Sequence, residues 1–141
     1  MTWETDGPLL ADKSAWARVG AYPDRWLSAL DADRIVICAI VHLELLFSAR
    51  TRADVEALDA ELCRLRDIPI TRGTLAAAKR AMVDLAAGGS DGHHRVPPQD
   101  AIIAACAAES GCAVLHSDVH YDRLADVLGF ESIWSAPRGT I

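Results

Sequence analysis

Short apolar runs alternate with amphipathic stretches along this chain, and that alternation constrains the fold more than any other feature. The runs are "LLA" at 9–11, "RIVICAI" at 34–40, "IPI" at 68–70, "AVLH" at 113–116 and "ESIW" at 131–134. Their length and β-branched content suit buried strands. Helical signals fill the intervals. "KSAWARVG" reads as a turn or two of helix stopped by Gly20, and Pro23 opens a helix with Trp26, Leu27 and Leu30 on one side. "VHLELLFSAR" reads as helix, and Thr51 with Asp54 caps the next, which keeps Val55, Leu58, Leu62 and Leu65 at helical spacing. A helix from Arg72 to Ala87 stops at Gly88 and Gly89, and "GGSDGHHRVPP" is a long loop. An Ala-rich helix spans Pro98 to Ser110, and a last one carries Tyr121, Leu124, Ala125 and Leu128 on one face.

Strands that alternate with helices pair in parallel, because parallel neighbours need crossovers, and those crossovers cover both faces of the sheet. The expected class is therefore α/β, a three-layer α/β/α sandwich around a central, mostly parallel sheet. At 141 residues the chain suits one domain, residues 1–141. In such sheets ligands bind beyond the carboxyl ends of the strands, which directs attention to residues that follow a strand.

Composition narrows the function. A net charge of −6 argues against a surface coated in basic residues for nucleic acid, while leaving room for a local basic groove. No apolar run is long enough to span a bilayer, and "MTWETDGPLL" lacks the pattern of a signal peptide, so a cytoplasmic protein without a membrane role is expected. Cys38, Cys63, Cys106 and Cys112 show no paired spacing and read as reduced thiols, three of them in apolar segments.

Four acids stand out against this apolar background. Asp12 directly follows "LLA", with Ser14 two residues on, and reads either as a helix N-cap or as a group at the open sheet edge. Glu44 lies in "AIVHLELLFSA", where an unpaired charge is costly. It either serves a site, faces solvent, or pairs with Arg50 or Arg18. Asp100 is the third residue of the helix opened by Pro98, a position where the helix dipole alone favours an acid. Asp118 follows "AVLH" as Asp12 follows the first strand. Carboxylates that converge repel one another unless a cation lies between them, and Mg²⁺ or Mn²⁺ prefers such oxygen ligands.

These segments together resemble the PIN-domain ribonucleases, and most closely the VapC-type toxins of type II toxin–antitoxin systems. "LLADKSAWAR" is similar to the first motif, "VHLELL" to the second, "PPQDAIIAACA" to the third and "VLHSDVHYDRLA" to the fourth. The resemblance implies a PIN-like fold and a Mg²⁺- or Mn²⁺-dependent endoribonuclease that leaves 5′-phosphate and 3′-hydroxyl ends. It implies that Asp12, Glu44, Asp100 and Asp118 are catalytic, metal-binding acids, with Ser14 supporting the first. It also implies a homodimer neutralised by a small VapB-like antitoxin whose segment covers the acidic cleft. The family pattern often has an acid just before the aromatic of the last motif, where this chain has His120. That residue either ligates metal, binds phosphate or weakens a second metal position, and Asp122 compensates only if the loop shifts.

Lys13, Arg18, Arg50, Arg52 and Arg95 are candidate contacts to an RNA substrate because they flank the acidic motifs or lie in the long loop. RNA shape and exposed single-stranded bases would set specificity. A zinc site built on His116 and His120, with His93 and His94, is one alternative. A PIN-fold binding module with weakened catalysis is another, suggested by His120. A phosphoacceptor domain lacks support, because adjacent acids after the first strand and a lysine after a later strand are both missing.

Overall fold

The computed structural model describes residue 3 and residues 7–136. Among the described residues, five strands form one parallel sheet: β1 (Leu9–Ala11), β2 (Ile35–Ile37), β3 (Arg66–Asp67), β4 (Ala113–His116) and β5 (Ser132–Trp134). Their spatial order is β3-β2-β1-β4-β5. The chain thus builds outward from β1 in one direction and then resumes on its other side, which puts a topological switch point between β1 and β4. Leu9 aligns with Ile35 on one side and with Ala113 on the other.

Seven α-helices accompany the sheet among the described residues. They are α1 (Lys13–Trp16), α2 (Pro23–Asp31), α3 (Ala39–Ser48), α4 (Arg52–Leu62), α5 (Arg72–Gly88), α6 (Pro98–Ser110) and α7 (His120–Ala125). The period-2 alternation of the strands sorts the core into two layers. Leu10, Val36 and Val114 face α3, α5, α6 and α7, whereas Leu9, Ile35, Leu115 and Ile133 face α1 and α2. The expected three-layer arrangement is what forms.

On the α2 side the filling is aromatic. Trp16 and Trp26 meet edge to face at 4.6 Å, as do Trp3 and Tyr22 at 4.9 Å. Trp3 also donates its indole N–H to Ser135 O, so a residue ahead of the first strand closes this layer.

Several boundaries differ from the sequence expectation. β2 ends at Ile37, and Cys38 and Ile40 instead lead into and lie within α3. "IPI" is not a strand: β3 is the pair before it, and although Ile68 N–H still donates to Ile37 O, Pro69 has no N–H with which to continue. The helix of "KSAWARVG" ends at Trp16, and Gly20 lies inside a separate 3₁₀ turn, Val19–Ala21, rather than stopping the first helix. Leu65 and Leu128 fall beyond their helices.

The turn from α6 into β4 sets the position of the sheet edge. Gly111 adopts φ 68°, and the next N–H, of Cys112, donates back to Ala107 O at 2.9 Å. This is a Schellman closure, which glycine adopts without strain. A Cβ at Gly111 meets nothing within 4 Å, so any substitution penalty there is conformational rather than steric. Gly111→Ala is expected to lower stability by about 1 kcal/mol with an unchanged urea m-value, and Gly111→Asn by less. Urea unfolding of the three proteins checks the ranking.

Candidate active site

The carboxyl ends of β1 and β4, on either side of the switch point, open into a cleft of about 340 Å³ lined in part by Asp12, Ser14, Glu44, Asp100 and Asp118. All four acids singled out in the sequence therefore line one cavity, and each arrives by a different local route.

Asp12 is the first residue beyond β1, and its N–H donates to Leu115 O at 2.9 Å, which ties it to β4. Its Oδ2 accepts the Ser14 N–H at 3.1 Å and the Ser14 hydroxyl at 2.7 Å. The two readings of this residue are thus compatible: one carboxylate caps α1 and faces the cleft. Ser14 does more than support Asp12. Its Oγ also accepts the Ser117 N–H at 2.9 Å, joining the loop after β1 to the loop after β4.

Asp118 is held from two sides, its N–H donating to His116 Nδ1 at 3.1 Å and its Oδ1 accepting the His120 N–H at 3.0 Å. Asp100 lies in the first turn of α6 and is only 8% exposed. Glu44 points inward from α3, and its Oε1 is buried without a hydrogen-bond partner. Neither Arg18 nor Arg50 pairs with it among the described residues; Arg18 donates instead to Ser14 O at 3.0 Å.

Tyr121 binds the acids together. Its fully buried hydroxyl lies 2.8 Å from Asp12 Oδ1, to which it donates, and 3.3 Å from Asp100 Oδ1. The sequence reading gave Tyr121 only a packing role on the apolar face of α7. The usable signal is that a buried phenol must find an acceptor, and the adjacent motif supplies carboxylates.

His120 occupies the place of the missing acid. Its Nδ1 is 2.8 Å from Asp118 Oδ1 and 3.3 Å from Asp100 Oδ2. This nitrogen is buried and makes no hydrogen bond, though it converges with both carboxylates. Asp122 does not compensate for the missing acid. It is turned to β5, accepting from the Ser132 hydroxyl at 2.8 Å and the Trp134 indole at 3.1 Å.

The electrostatics follow from this crowding. Burial, and then the charges of Asp12 and Asp118, push the Asp100 carboxyl up to about 7, despite His120 and the Tyr121 hydroxyl. Burial and Asp12 also raise Glu44, with Lys13 opposing.

The zinc alternative fails on His116. That ring is fully buried, and because its Nδ1 accepts the Asp118 N–H, its Nε2 carries the proton toward Ser132 Oγ, 2.6 Å away. Burial holds it neutral, pushing its pKa down to about 4. It fixes the loop after β4 and has no free nitrogen for a metal. Of the proposed basic contacts, Lys13 and Arg18 line the cleft, while Arg52 pairs with Glu56 on the surface at 2.8 Å. Arg50 and Arg95 are exposed and are not among the lining residues.

Residues 10–127 match the family model of the PIN domain. The chain is 42% identical over 133 residues to Ribonuclease VapC18 of Mycobacterium tuberculosis (strain ATCC 25618 / H37Rv), covering 92% of this chain and 96% of that protein. It is 32% identical over 128 residues to Ribonuclease VapC2 of M. tuberculosis (strain CDC 1551 / Oshkosh), covering 89% and 90%. Among solved structures, the DNA-bound VapBC from Salmonella typhimurium superposes with a TM-score of 0.71 at 18% identity, over 92% of this chain and 99% of that one. VapBC-5 from M. tuberculosis, of the VapBC family of toxin–antitoxin systems, gives 0.66 at 24% identity over 92% and 99%. At these identities the structural likeness is one of fold.

The raised Asp100 carboxyl has a consequence for stability. The folded state binds this proton more tightly than the unfolded chain, whose usual carboxyl value is 3.8, so its contribution is lost as pH rises from about 4 through about 7. His116 acts oppositely, its contribution being lost as pH falls from 6.5 through about 4. Subtracting the Asp100→Asn variant isolates the first effect. In chelator, the variant is expected to gain on the parent by on the order of 2 kcal/mol between pH 5 and pH 8. Denaturant unfolding at both pH values measures the difference, and a flat difference would contradict the assignment.

Proposed function

Because the chain belongs to the PIN domain family, we propose that its acidic cleft holds Mg²⁺ or Mn²⁺ and hydrolyses RNA phosphodiester bonds as an endoribonuclease toxin. The observation that carries the proposal is the crowding of His120 Nδ1 against Asp118 and Asp100, beside a buried Glu44 Oε1 without a hydrogen-bond partner, in a cluster whose Asp100 is forced toward protonation. Buried polar atoms without hydrogen bonds are uncommon in folded proteins, and a cation among these side chains would relieve the repulsion. The donor set fits such an ion: the ligand atoms of Asp100, Asp118 and His120 lie within 4.8 Å of one another. Asp12, Glu44, Asp100 and Asp118 would hold the metal, with His120 as a nitrogen ligand.

The chemistry a bound divalent cation supplies is charge stabilisation at a phosphate oxygen and acidification of a water. The protein's own groups prepare for it. Tyr121 and Ser14 fix Asp12, which leaves that carboxylate little freedom to turn away. Glu44, with its raised proton affinity, is suited to accept a proton from a water. Lys13 and Arg18 at the rim offer positive contacts for the RNA backbone.

The names of the relatives support RNA as the substrate, and the toxin–antitoxin complexes among the fold neighbours support a small VapB-like antitoxin as partner. That antitoxin would cover the cleft of a homodimeric toxin in the cytoplasm. The competing reading, a binding module with weakened catalysis, rests on His120. It requires a cleft that binds Mn²⁺ poorly and leaves RNA intact.

Labelled total RNA incubated with antitoxin-free protein separates these readings. Cleavage is expected with Mg²⁺ or Mn²⁺, none in chelator, and a loss on the order of 100-fold in Asp100→Asn. Imidazole is a softer donor than carboxylate, so His120→Asp should shift the preference toward Mg²⁺ by on the order of tenfold. Equal traces for the parent and Asp100→Asn, without Mn²⁺ binding, would favour the binding module.

A further inference from the structure

A second group of metal-ligating side chains lies at the seam between α3 and α4. His42 Nε2, from α3, sits 2.7 Å from Asp59 Oδ1, and Cys63 Sγ sits 3.7 Å from the same oxygen. All three ligand atoms fall within 4.8 Å of one another. We propose that His42, Asp59 and Cys63 form a transition-metal site fitted to zinc, separate from the acidic cleft.

The backbone presents these groups as a unit. Asp59 and Cys63 are four residues apart, which brings their side chains to the same face, and the Cys63 N–H donates to Asp59 O at 2.9 Å. His42 and Glu44 are two residues apart on α3 and point to different sides of that helix, so one helix serves two separate sites.

The chemistry of the donors is selective. Imidazole, carboxylate and thiolate are the ligand types zinc takes in tetrahedral sites, whereas a thiolate disfavours Mg²⁺. Three protein ligands leave a fourth position, and a cleft of about 520 Å³ beside them provides room for a water or for Asp67, which shares its lining with His42 and Cys63. Binding would take the proton from the Cys63 thiol, since a coordinated thiol is deprotonated outright. Without metal, the His42–Asp59 contact is a simple hydrogen bond between helices, and that alternative makes a different prediction.

Cobalt distinguishes them, because thiolate-to-cobalt charge transfer absorbs in the near ultraviolet and the acidic cleft contains no thiol. Co²⁺ added to the full chain in a thiol-free reductant is expected to produce this band, and Zn²⁺ to bleach it. The band should vanish in Cys63→Ser, and cobalt affinity should fall about tenfold or more in His42→Gln. Asp100→Asn should leave the band intact, whatever becomes of RNA cleavage. Absence of the band at excess cobalt would overturn the site. So would its persistence in Cys63→Ser, or full affinity in His42→Gln, which would mean a thiol acting alone.

Discussion

Repulsion among carboxylates at one edge of the sheet is the constraint on which the rest of this structure turns. Burial, with the charges of Asp12 and Asp118, raises the proton affinity of Asp100, and burial with Asp12 does the same to Glu44. Like charges in a partly dry cleft would spread apart if their backbones allowed it. Here they cannot. Asp12 is tied through its N–H to β4, Asp118 is pinned to His116, and the Tyr121 hydroxyl reaches both Asp12 and Asp100. The cluster is a local instability maintained by the fold, the cost that the proposed cation site would carry.

The two core layers make that possible. β1 and β4 are buried on both faces, so the loops that follow them inherit a fixed starting point. Ser14 then joins the two loops through a single oxygen, bonded to Asp12 on one side and to Ser117 on the other. The parallel order of the sheet has a direct functional result: it places the switch point beside both loops, and α3 and α6 deliver Glu44 and Asp100 from the same face.

Much of this was legible in the sequence. The strand–helix alternation carried the α/β class, and the acids after "LLA" and "AVLH" were conspicuous through their matching places after two strands, although an N-cap explained Asp12 alone equally well. Boundaries near proline and glycine were harder, since "IPI" has strand composition but Pro69 removes the donor a strand needs. The Tyr121 bridge was hidden because periodicity reports which face is buried and says nothing of what a buried hydroxyl touches. Histidine spacing left a zinc alternative open at His116, and spacing alone does not report that the ring is already engaged by Ser132 on β5 and by the Asp118 N–H two residues on. The His42–Asp59–Cys63 group is likewise split between two helices and has no linear motif.

In the proposed site a divalent cation takes the place of a proton in the acidic cleft. Calorimetric titration of metal-free protein with Mn²⁺, in buffers of different ionisation enthalpy, counts the protons released on binding. With Asp100 at about 7, release of about one proton is expected at pH 6 and much less at pH 8. Binding without proton release at pH 6, or no binding at either pH, would contradict it.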